Sequence, residues 1–85
     1  MREDKVRSMM EEMRSSPANV RFSDLEKVCS YFFGEPRSRR GSHQVYRMPW
    51  LGDPRVNIQN DHGKAKKYQV EQVLRAVEKL QKEEG

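Results

Sequence analysis

Residues two apart on an extended chain share a face, so in the run His43-Gln44-Val45-Tyr46-Arg47 an imidazole and a guanidinium project together, with Val45 between them. That pairing suits phosphate chemistry. An imidazole titrates near neutrality and can take a proton from a ribose 2′-hydroxyl, while a guanidinium holds the phosphate and offsets the charge that builds in the transition state. Just upstream, Arg37, Arg39 and Arg40 would bring phosphate to the same place, and Lys64, Lys66 and Lys67 would track an RNA backbone. Other chemistries fit less well. Cys29 falls on the apolar stripe of a helix, with no basic neighbour placed to activate it, and reads as a small core residue. One Cys and two His separated by 19 residues match no structural zinc spacing, so neither a metal nor a small-molecule cofactor is expected.

The distribution of charge supports a polyanionic partner. Of 85 residues, 17 are Lys or Arg and 13 are Asp or Glu, a formal net charge of +4. The first 34 residues hold six basic and six acidic side chains, residues 35–67 hold eight and three, and the remainder three and four. The excess therefore sits in the middle third, where nucleic acid or an acidic protein could be read, although a merely solvated basic surface has the same composition. Length limits the chain to one domain, here residues 1–85, with a thin core. A single Cys, a charged start without an apolar run, and no stretch of about 18 apolar residues lead to the expectation of a soluble chain in the reducing cytoplasm.

The elements that must position these residues follow from periodicity. Val6, Met9, Met10 and Met13 give residues 1–17 one helical stripe that ends at Ser15-Ser16-Pro17, able to dock on the core or on a partner. Ser23 followed by Glu26 predicts a capping box that opens a second helix, with Leu25, Val28, Cys29 and Phe32 inward and Gly34 at its end. Phe22 lacks a staple partner, because Lys27 occupies that position, and must pack elsewhere. The period then becomes two. A basic edge strand over residues 36–40, a Gly41-Ser42 turn, a strand from His43 to Met48, a wide turn at Leu51-Gly52-Asp53-Pro54 and a strand from Arg55 to Gln59 are predicted, with Val56 and Ile58 inward. Val70, Val73, Leu74, Val77 and Leu80 form the stripe of a last helix, with Glu71 and Arg75 spaced to pair. The sum is an α+β sandwich of two layers.

Taken in order, Arg40-Gly41-Ser42-His43-Gln44-Val45-Tyr46-Arg47, Pro49, a turn, Val56-Asn57-Ile58, His62-Gly63-Lys64 and the Tyr68-Gln69-Val70 helix start resemble the HicA toxins of bacterial toxin–antitoxin systems. The likeness spans residues 20–80 and leaves the Met-stripe helix outside. It implies a double-stranded-RNA-binding-domain-like fold, with a three-stranded antiparallel sheet packed on one face by helices. It also implies a metal-independent endonuclease that cuts messenger RNA with one essential histidine, here His43, aimed by the Gly41-Ser42 turn, and a HicB-type antitoxin that covers the active face. The chain departs from the pattern twice. Gln44 stands where many relatives have a second His, and should point away from His43; Asn60-Asp61-His62 replaces Pro-Arg-His, which makes His62 a secondary candidate. Two rival readings follow: a non-catalytic RNA-binding module of the same fold, or a degenerate toxin kept as a protein-interaction partner.

Overall fold

The structure, a computed structural model, describes residues 3–48 and 55–84. Helix α1 (Glu3–Ser15) buries Val6, Met10 and Met13 and half-buries Met9, the stripe that its spacing predicts. Its charges also suit the helix dipole, with Glu3 and Asp4 in the first turn and Arg14 in the last. Helix α2 (Phe22–Phe33) buries Leu25, Val28 and Cys29, leaves Phe32 only half-buried at the edge of the core, and stops at Gly34, whose N–H donates to the Ser30 carbonyl at 3.1 Å. Helix α3 (Lys67–Glu84) turns Val70, Val73, Val77 and Leu80 inward, with Ala76 beside them.

Between α2 and α3 run strands β1 (Ser38–Arg40), β2 (His43–Arg47) and β3 (Arg55–Gln59), antiparallel and in the order β1-β2-β3. The register pairs Arg40 with His43, His43 with Gln59, Tyr46 with Val56 and Arg47 with Arg55. Because paired residues lie on the same face, Tyr46, Val56 and Ile58 form the floor of the core while His43, Val45 and Arg47 look out. Helices α2 and α3 cover the floor, and α1 packs on those two helices rather than on a strand. The result is α+β, with α1 forming a third layer outside the predicted two. Among the described residues no helix is long and apolar enough to cross a membrane.

Three local expectations change. The capping box is absent: Ser23 lies inside α2, the cap position is Arg21, and no side chain caps the helix. The first-turn N–H of Phe22, which has no partner within the helix, instead donates to the Gly63 carbonyl at 3.0 Å, and Ala65 N–H donates to the Val20 carbonyl at 2.9 Å. A short antiparallel contact with the β3–α3 loop thus does the work of a cap, and Phe22 is drawn into the core. The edge strand starts at Ser38 rather than residue 36. Pro36 has no N–H to give, and pairing opens with Arg37 N–H on the Val45 carbonyl at 2.7 Å. On α3, no Glu71–Arg75 ion pair forms among the described residues, and Glu78–Lys82 pairs instead, at 4.0 Å. The turn expected at residues 51–54 lies outside the described residues.

Candidate functional site

The loop between β1 and β2 is two residues long, with φ of +56° at Gly41 and no positive φ at Ser42, the pattern of a type II′ turn. A Cβ on Gly41 would meet nothing within 4 Å, so the backbone angle alone demands glycine. This turn starts β2 at His43 and sets its side chain on the open face, where it is exposed. The end of β3 is fastened to the same turn, because Asn60 N–H donates to the Ser42 carbonyl at 2.9 Å.

The open face can be read off the register: Ser38 and Arg40 from β1, His43, Val45 and Arg47 from β2, and Arg55, Asn57 and Gln59 from β3. Arg40 lies directly across from His43, which places their Cβ atoms about 5 Å apart. Arg47 is four residues along the strand, about 13 Å away, and stands opposite Arg55. The register would therefore let Arg40 share one phosphate with His43, whereas Arg47 and Arg55 are too far along the strands to reach the same one. No carboxylate belongs to this face among the described residues.

Not every predicted basic residue gathers here. Arg39 pairs with Gln44 on the opposite, helix-covered face and forms an exposed ion pair with Glu35 at 3.5 Å, so it does not join His43. Arg37 precedes β1, with its N–H on the Val45 carbonyl. Lys64 is exposed past the Gln59 end of β3, in a tight turn closed by its N–H on the Asp61 carbonyl at 3.1 Å, five residues beyond the strand. His62 and Gly63, the central residues of that turn, have φ of +55° and +87°, as a type I′ turn requires. The His62 side chain is 99% exposed and its Nδ1 contacts Asp61 Oδ1 at 3.0 Å, the geometry of a solvated turn residue. Lys66 is half-buried and Lys67 exposed at the start of α3.

Gln44 points inward, as the alternation requires. Its amide N–H donates to the Glu26 carboxylate at 2.7 Å, and its carbonyl accepts the Tyr46 hydroxyl at 2.9 Å, tying β2 to α2 beneath the site. Burial raises the Tyr46 phenol above its ordinary range, opposed by a hydrogen bond with Ser30. The Cys29 thiol is pushed up as well, by burial first and by the Glu26 charge second, so it stays protonated and inert as a core residue.

Arg55, Asn57 and Gln59 are the face residues that sequence reasoning left out. Their outward phase was visible in the alternation, and what it lacked was the register that sets Gln59 beside His43. The buried Gln69 is another. Its side-chain carbonyl accepts Gln59 N–H at 2.8 Å, and so α3 anchors the strand residue next to His43. No protein-family model, curated protein or solved structure matches this chain.

Proposed function

We propose that the chain is a ribonuclease that cleaves messenger RNA across the open face of its sheet, on the pattern of the HicA toxins. One observation carries the reading: that face has a histidine at its head, three arginines, and no carboxylate among the described residues. A surface so composed attracts a phosphate chain and repels nothing in it. The order helix, three strands, helix from residue 22 onward supports a double-stranded-RNA-binding-domain-like core, with α1 as an addition.

In the proposed reaction His43 accepts the proton of a ribose 2′-hydroxyl as that oxygen bonds to the adjacent phosphorus. The bond from phosphorus to the 5′-oxygen breaks, and that oxygen takes a proton from water. Arg40, across the strand pair, neutralises the charge on the phosphoryl oxygens. Arg47 and Arg55 hold a neighbouring phosphate, while Lys64, Lys66 and Lys67 extend the track in the other direction, past the Gln59 end of β3. No second imidazole flanks His43 within β2, since Gln44 serves the link to α2. The same arginine face is what an acidic HicB-type antitoxin in the cytoplasm would cover.

Induction of the wild-type chain and of His43→Ala in a bacterial host tests the proposal. The wild type should arrest growth and degrade message, leaving 2′,3′-cyclic phosphate ends, and the variant should lose about 100- to 10,000-fold in cleavage rate while still binding RNA. A folded His43→Ala chain that cleaves at the wild-type rate would sink the assignment. RNA binding without cleavage by either chain would favour the binding-module reading, which needs the arginines but no imidazole.

A further inference from the structure

A groove of about 630 Å³ runs along one flank of α1, away from the open sheet face. Four charged residues of α1 line it, Glu3, Arg7, Glu11 and Arg14, with Tyr31 and Phe32 of α2 on its other side. The two rings meet edge-on with centroids 5.0 Å apart, and Tyr31 remains 42% exposed, one of two large apolar side chains so exposed among the described residues. On a helix of 3.6 residues per turn those four charged positions fall within one narrow stripe beside the buried Val6 and Met10.

The order of charge along this stripe is acid, base, acid, base. Laid antiparallel against its own copy, Glu3 meets Arg14 and Arg7 meets Glu11, and by symmetry each pair occurs twice. The midpoints of the two pairs fall half a residue apart, about 0.75 Å along the axis, so one two-fold axis serves both. A parallel arrangement would instead set like charge on like. The stripe is also neutral in a chain of net charge +4, which makes it a place where two copies can approach without mutual repulsion. Glu3 and Arg7 already pair within the helix at 3.4 Å, but both are more than 70% exposed, so little is lost in exchanging that contact for one between copies.

We infer that α1 is a self-association surface, on which two copies of this chain pair antiparallel through Glu3, Arg7, Glu11 and Arg14 and bury Tyr31 at the edge of the contact. The geometry leaves both open sheet faces uncovered, so each copy keeps its own His43 available. This inference does not depend on what the sheet face binds.

Sedimentation equilibrium over a range of concentrations tests it. The wild-type chain should dimerise at low salt and dissociate as salt rises. Arg7→Glu with Arg14→Glu makes the stripe wholly acidic, Glu3→Arg with Glu11→Arg makes it wholly basic, and each double variant alone should weaken the dimer at least tenfold. An equimolar mixture of the two should restore association as a heterodimer, which misfolded variants could not do. A wild-type chain that stays monomeric overturns the inference and leaves the groove to a different protein. So does an acidic variant that dimerises as well as the wild type, or a mixture that does not associate.

Discussion

Arg39 and Arg40 are neighbours in sequence with opposite assignments. Arg40 stands across from His43 on the open face, whereas Arg39 shares a face with Gln44 and leans on Glu35. Arg40→Ala should therefore lower both RNA affinity and cleavage, and reduce the salt dependence of binding by about one unit of slope. Arg39→Ala should leave cleavage within about twofold, because an exposed ion pair of this kind contributes little. A salt titration of binding for the two variants, run beside the cleavage assay, checks the pair; equal losses would mean that the face assignment is wrong. This distinction was within reach of the sequence. Once Gly41-Ser42 is taken as a two-residue turn, hairpin geometry puts residue 40 opposite residue 43 and residue 39 on the other side. Neighbours in sequence lie on opposite faces of a strand, so proximity along the chain does not bring Arg39 and Arg40 to the same site.

The helix and strand spans were legible for a local reason, since an apolar period of 3.6 or 2 is written within one segment. Val56 and Ile58 face inward, and of the last helix's stripe Val70, Val73, Val77 and Leu80 are buried while Leu74, at its edge, is half-buried. Contacts that join segments distant in sequence were not legible. Ser23 and Glu26 have the spacing of a capping box, yet Glu26 is taken by Gln44, 18 residues away, and the Phe22 N–H at the start of α2 is satisfied by the Gly63 carbonyl. A capping serine replaced by alanine costs about 1 kcal/mol. Because Ser23 caps nothing here, Ser23→Ala should change stability by less than about 0.5 kcal/mol in urea denaturation. A loss of about 1 kcal/mol or more would restore the capping box. The same limit hid Gln69, whose role depends on α3 crossing the end of β3.

At the scale of the molecule, the core formed by the described residues encloses two ionisable groups, the Cys29 thiol and the Tyr46 phenol, both held protonated above their ordinary values of 9.0 and 10.0. An unfolded chain releases those protons first, so above about pH 9 the native state binds more protons and stability falls as pH rises. Below that pH the contribution is fully present and constant. Thermal melts should show a steady midpoint from about pH 7 to about pH 8.5 and a decline by about pH 10.5, and Cys29→Ala should flatten part of the decline. A wild-type midpoint unchanged at the alkaline end would contradict the burial of these groups. One further property follows from the outer strand. β1, one of the two edge strands of the sheet, is three residues long and carries two exposed arginines. A margin that brief and that charged offers a poor template for another chain's backbone, so Arg40, which would serve phosphate, and its neighbour Arg39 also guard this side of a small, thin-cored protein against growing into fibrils at high concentration.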